Sequence, residues 1–172
     1  MIGISDLYKN TKGAKKILDS GDRTEFETGA VRDMHEGKGR CDLLPLDVVS
    51  ELFGDNQPNV FTRINQFQKS SDVVYLRIAL DDFNKSHGWN IHTMILEVAK
   101  HFEEGAKKYG DNNWRKGIPV RCYIDSAIRH YVKWLRGDQD EPHDRAFCWN
   151  IMCAMWTCIN KPELNDYKKD DE

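Results

Sequence analysis

Between residues 91 and 160 the chain shows one pattern three times over: apolar residues three or four apart, closed by a short cluster of turn formers. Ile91, Ile95, Val98, Phe102 and Ala106 make the first stripe, and Tyr109, Gly110, Asp111, Asn112 and Asn113 end it. Ile124, Ile128, Tyr131 and Leu135 make the second, ended by the acidic stretch from Gly137 to Pro142. Phe147, Ile151, Ala154 and Cys158 make the third. This spacing follows the 3.6-residue period of an amphipathic helix and predicts helices over 92–108, 119–135 and 142–159. Upstream, Pro45 and Gly54 bracket a shorter helix over 44–53, an arrangement that suits both residues. The spacing over 60–68 and 72–83 is also helical, although Val73, Val74 and Tyr75 fit a strand as well. Residues 54–59 form a turn-rich break, and the middle region, poor in paired acids, suits packing and oligomer contact.

The expectation is therefore an all-α helical bundle, oligomeric, with a loose arm over 1–28, a single domain over 29–160 and a charged, frayed tail over 161–172. The 172 residues suit one core. A formal net charge of −3 excludes a general nucleic-acid binder, which needs a basic surface to neutralise phosphates. The amino-terminal residues lack the apolar core of a signal peptide, and no apolar run is long enough to span a bilayer, so no membrane partner and a cytoplasmic location are expected. The five cysteines never form a CxxC pair, which excludes a zinc ribbon and leaves reduced thiols as the expectation.

Three groups of residues carry possible chemistry. Glu97, His101, Glu104 and Lys108 step along one flank of the 92–108 helix. Such an edge can hold a divalent cation through its carboxylates and set a lysine near a phosphate; it can equally be a solvated face with a Glu104–Lys108 pair. Arg32, Lys38 and Arg40 lie in a glycine-rich strip that ends at Asp42, where backbone N–H groups and cations can approach phosphate oxygens, or form an ordinary basic loop. The third group is Asp138, Asp140, Glu141, His143 and Asp144. Asp140 reads as a helix cap, while Asp144 sits on the side of Phe147 and Ile151, where the pattern wants an apolar residue. An ion pair with Arg145 or Arg129 is the structural alternative for it. If this helix packs antiparallel to the one bearing Glu97 and Glu104, acids from both converge on a cation. Arg129 and His130 suit a triphosphate, or Arg129 pairs with Asp125; Tyr109 and Trp114 suit stacking on a base, or close the end of the bundle.

Four blocks in order, GKGRCDLLPLDVV, GAKKYGDNNWRKG, RHYVKWLRGD and DEPHDRAFCWN, resemble the dATP/dGTP diphosphohydrolases of bacteriophages and some bacteria. These are relatives of the MazG-like all-α nucleotide pyrophosphohydrolases. The resemblance spans roughly residues 26–157, with little of it in 54–89. It implies a MazG-like helical homo-oligomer, a dimer or tetramer, in the cytoplasm of a bacterial host if phage-encoded. It also implies that Mg²⁺ or Mn²⁺ is the cofactor and that a deoxynucleoside triphosphate is cut to its monophosphate and pyrophosphate by water attack at the α-phosphorus. In the MazG relatives the ligands form ExxE and ExxD motifs. Here Glu97 and Glu104 are seven apart, Glu103 is the rival of Glu104, and the later helix offers His143 and Asp144 instead of ExxD.

Carried onto this chain, the metal candidates are Glu97, Glu103, Glu104, His143 and Asp144, with Glu104 or Glu97 activating the water. The substrate-binding candidates are Arg32, Lys38, Arg40, Asp42, Lys107, Lys108, Tyr109, Asn113, Trp114, Arg129, His130 and Asn150. Two other classes compete. The adjacent His143 and Asp144 suit an HD-type phosphohydrolase releasing nucleoside and triphosphate, and the departures from ExxE and ExxD suit a non-catalytic nucleotide-binding or assembly protein.

Overall fold

The computed structural model describes residues 19, 21–34, 36–53 and 59–168. Most of the expected amino-terminal arm, the break at 54–58 and the end of the expected tail at 169–172 lie outside these. Among the described residues the elements run β1 (Arg23–Glu25), β2 (Val31–Asp33), α1 (Leu46–Leu52), α2 (Val60–Ser70), α3 (Val74–His87), α4 (Ile91–Tyr109), α5 (Val120–Arg136) and α6 (His143–Asn160). Short 3-10 turns sit at Cys41–Leu43, Asn113–Lys116 and Pro162–Leu164. The fold is all-α, with one small antiparallel hairpin that pairs Thr24 with Arg32. No described helix is long and apolar enough to cross a membrane.

Each long helix starts and stops where its local chemistry directs. The side chains of Asn59 and Asn90 accept hydrogen bonds from Thr62 N and Thr93 N, capping α2 and α4. Gly88 and Gly137 end α3 and α5 in the left-handed conformation. Val74 and Tyr75 belong to α3, so the strand alternative for 73–75 does not form.

Helix α6 packs most extensively against α5 and also against α4. Phe83 of α3 centres the core: its ring lies 4.7 Å from Phe147 and 4.9 Å from Trp134, in tilted and edge arrangements that aromatic pairs favour. Cys148 and Cys153 are buried, Cys41, Cys122 and Cys158 half-buried, and all five are free thiols.

Two expectations need correction. The buried face of α4 carries Met94, Val98 and His101, whereas Ile91 and Ile95 are 48% and 49% exposed. The helix is rotated so that an imidazole takes a place the apolar pattern assigned elsewhere. The described part of the expected tail, 161–168, packs back on the body instead of fraying. Tyr167 sets its ring edge-on to Phe67 at 5.6 Å, and Asp166 pairs with Arg121 at 3.1 Å. Leu164 presses on Gly117, whose φ of +115° suits glycine and where a Cβ would stand 2.6 Å from the leucine methyl.

Candidate functional site

The exit of α4 brings the hairpin onto the helices. Asn112 adopts the left-handed conformation that turns the chain into the Asn113–Lys116 turn. The Asn113 side chain is then buried, accepting from Val31 N at 2.9 Å and donating to Val31 O at 2.7 Å. It pairs with β2 as a further strand residue would. From the other side Arg129 of α5 donates to Lys38 O at 3.1 Å and Gly39 O at 2.8 Å, and holds the glycine-rich strip down. Asp125, one turn earlier, pairs with Arg129 and accepts from the backbone N–H groups of Cys41 and Asp42.

Between these elements lies a cavity of about 980 Å³. This is ample for a nucleotide. Its walls are the last turns of α4, the 110–114 exit, α5 through Ser126, Arg129, His130 and Lys133, Glu141, and α6 through Trp149 and Asn150; Arg32, Asp33 and Lys38 close it from the hairpin side.

Nine of the twelve residues expected to bind substrate line this cavity: Arg32, Lys38, Lys108, Tyr109, Asn113, Trp114, Arg129, His130 and Asn150. Arg40, Asp42 and Lys107 do not. Arg40 binds Asp42 through Nε and Nη2, and Lys107 pairs with Glu103, an exposed residue at the cavity's border. Asn113 and Asn150 serve other groups, the former β2 and the latter Arg32. Trp114 packs against Phe102 at 5.3 Å and Trp156 at 5.0 Å, so it closes the bundle end as well as lining the site. Arg23 and Lys108 both lie 5.2 Å from the Tyr109 ring centroid.

Arg32 is the most constrained cation. Its guanidinium lies 5.1 Å from the Tyr123 ring and 5.9 Å from Trp149, and Nη2 donates to Asn150 Oδ1 at 2.6 Å. Arg32 Nη1, His101 Nδ1 and Trp149 Nε1 are buried with no hydrogen-bond partner among the described residues. All three residues line the cavity. Buried polar atoms are nearly always paired, so three residues with an orphaned nitrogen on the border of one space set this region apart. Sequence reasoning missed Lys133, Glu141 and Trp149 as lining groups; an indole on the flank of an apolar helix looks like core.

His101 is only 8% exposed. Burial, reinforced by the charges of Arg145 and Arg32, brings its pKa from 6.5 down to about 3. Below pH 6.5 the unfolded chain binds a proton that folded His101 refuses. Stability is therefore undiminished above that pH and is lost by about 1.4 kcal/mol per pH unit as pH falls towards 3. Thermal melts across pH 7 to 4 should show this slope, and a His101→Gln chain should lose it; equal slopes in both would exclude His101 as the cause. His130 is likewise pushed well below the usual range, chiefly by burial and then by His143.

The carboxylates expected to share a cation do not meet. Glu97 pairs with Lys100, Glu103 with Lys107, and Glu104 with Arg145 at 2.7 Å. Asp144 contacts His87 of α3 at 3.1 Å. Burial drives its pKa up, but the bonds from His87 and Arg145 N hold it below the ordinary carboxylate range. Helices α4 and α6 do touch, yet they meet through Glu104 with Arg145 and through His101 and Phe102 with Trp149. Among the described residues, two groups gather metal-competent atoms within 4.8 Å: His130, Glu141 and His143, and also Asp138, Asp140 and His143. His143 belongs to both groups and its neighbour Asp144, turned to His87, to neither, so the geometry does not favour an HD-type pair.

Residues 85–167 match the family described as dATP/dGTP diphosphohydrolase, N-terminal. Over this segment, a little under half of its length, the chain is similar to that family. Comparisons with curated proteins and with solved structures give no match. The matched segment supplies the α4, α5 and α6 walls of the cavity, while Arg32, Asp33 and Lys38 come from outside it.

Proposed function

We propose that the chain hydrolyses purine deoxynucleoside triphosphates, dATP or dGTP, to the monophosphate and pyrophosphate. The observation that carries this reading is the cavity built on the family segment. It has cations from three elements, Arg32, Lys108, Arg129 and Lys133, on its walls. Such an array suits a polyanion attached to a planar base. Phosphoryl chemistry needs positioning and charge neutralisation more than covalent help, and the fixed guanidiniums of Arg32 and Arg129 supply both. Arg32 is held by Asn150 and Arg129 by Asp125, so neither must reorganise as charge shifts towards the leaving pyrophosphate. Trp114 and Trp149 offer flat apolar surface for a base.

A bound Mg²⁺ or Mn²⁺ would neutralise phosphate charge and lower the pKa of the attacking water. Glu97, Glu103, Glu104 and Asp144, each beside its own basic group, do not fit as one ligand set for it, and neither Glu97 nor Glu104 lines the cavity to activate water. The MazG-like relation and a dimer or tetramer belong to the same proposal. Exposed Leu43, Val48, Leu52 and Phe53 around α1, with Ile91, Ile95 and Leu96 on α4, supply apolar surface for subunit contact.

The test is incubation of the pure protein with each deoxynucleoside triphosphate and Mg²⁺ or Mn²⁺, with the products separated chromatographically. Monophosphate and pyrophosphate are expected. Nucleoside and triphosphate would identify HD-type chemistry, and tight binding without turnover a non-catalytic protein; either result overturns the proposal.

A further inference from the structure

His130 of α5 and His143 at the start of α6 approach nitrogen to nitrogen, Nδ1 to Nδ1 at 2.9 Å. The other nitrogen of His143, Nε2, lies 2.7 Å from Asp140 Oδ1, and Asp140 Oδ2 is held by Lys133 Nζ at 2.9 Å. A carboxylate only accepts, so His143 donates from Nε2, and Nδ1 is the ring nitrogen it turns to His130. Glu141 brings a carboxylate oxygen within 4.8 Å of ligand nitrogens on both rings.

We infer that His130 Nδ1, His143 Nδ1 and the Glu141 carboxylate bind one divalent transition-metal ion, of the Mn²⁺ and Co²⁺ type in preference to Mg²⁺, in the wall of the cavity. Two nitrogens bound to one ion at metal–nitrogen distances of about 2.0–2.1 Å stand roughly 3 Å apart, and the hydrogen-bonded pair of Nδ1 atoms is already near that separation. Two imidazoles and a carboxylate suit first-row transition metals, whereas Mg²⁺ takes oxygen ligands. Asp140 stands where an outer carboxylate fixes the tautomer and direction of a ligating histidine. Of the basic groups nearby, Lys133 is paired with Asp140 and Arg129 with Asp125.

His130 and Glu141 also line the cavity, so coordination positions not used by protein face the space proposed for the triphosphate. His101, more than nine-tenths buried and with Nδ1 unpartnered among the described residues, borders the same space. The assignment rests on the hydrolase reading only for what occupies the remaining positions; the ion itself needs no nucleotide.

The test is titration of chelator-stripped full-length protein with Mn²⁺, followed by the loss of the free-ion paramagnetic resonance signal, and with Co²⁺, followed by visible absorption. One equivalent of each is expected to bind without nucleotide, with millimolar Mg²⁺ competing poorly. Glu141→Gln and His143→Gln should abolish binding, and Asp140→Asn should weaken it about 10–100-fold. Metal-free melts show whether each variant is folded, and Glu141, half-buried on the connector, is the variant least expected to perturb the fold. A Glu97→Gln, Glu104→Gln double variant should keep the site. No stoichiometric Mn²⁺ or Co²⁺ binding, binding indifferent to Glu141→Gln and His143→Gln, or binding lost in the double variant would each overturn the assignment. Turnover with Mg²⁺ alongside no Mn²⁺ binding would sink this site and leave the hydrolase; stoichiometric binding without turnover would uphold the site and sink the hydrolase.

Discussion

Replacing Arg32 with alanine is expected to lower kcat/KM for dATP and dGTP by about 10²–10³-fold, the usual cost of losing one fixed donor to a developing charge. The size follows from how little freedom the side chain has. Its guanidinium lies against the rings of Tyr123 and Trp149, one arm is taken by Asn150, and the other is buried and unpartnered within the described residues. Lysine should not rescue it, because a point charge on a flexible stem cannot bond Asn150 and a ligand oxygen in the same fork geometry. Steady-state kinetics on alanine and lysine variants, with melts to confirm folding, decide the matter. Wild-type kcat/KM in the alanine variant would remove Arg32 from the site.

Asp125→Ala is expected to cost about 3–5 kcal/mol of stability, the range for removing one partner from a buried ion pair. Asp125 is 1% exposed and serves the Arg129 guanidinium together with the backbone N–H groups of Cys41 and Asp42. Without it a charge and two donors are left in low dielectric, where each unmet group carries its desolvation penalty. Asn at this position keeps one acceptor oxygen and should recover part of the loss. Denaturant unfolding measures it, and a change under 1 kcal/mol for alanine would show that the cluster is wetter than its burial implies. Because the same carboxylate orients Arg129, the variant should also loosen the strip that carries Lys38.

The helices were legible because their period is a one-dimensional signal: 92–108 became Ile91–Tyr109 and 119–135 became Val120–Arg136. The hairpin was not, since three-residue strands are too short to show alternation. The rotation of α4 was hidden for a related reason. A histidine at a buried position counts as polar in any pattern, so Ile91 and Ile95 drew the stripe towards solvent.

At the site, Arg32, Lys38, Lys108 and Arg129 stood out because cations near glycine and helix ends suit phosphates whatever the fold. The meeting of His130, Glu141 and His143 did not, because it exists only once α5 and α6 fold back on each other through the acidic connector. Acids there read most simply as caps and ion pairs.

The bond between Asn113 and Val31 joins positions 82 residues apart. Closing so long a loop costs entropy before any contact repays it, whereas α5 and α6 meet through a short connector. The helical body can therefore assemble while the strand that carries Arg32 is still searching, and the cavity is completed last. A ligand gripping Arg32 on one side and Arg129 on the other would act as a bolt across that late seam, and binding would register first as slower opening of the hairpin.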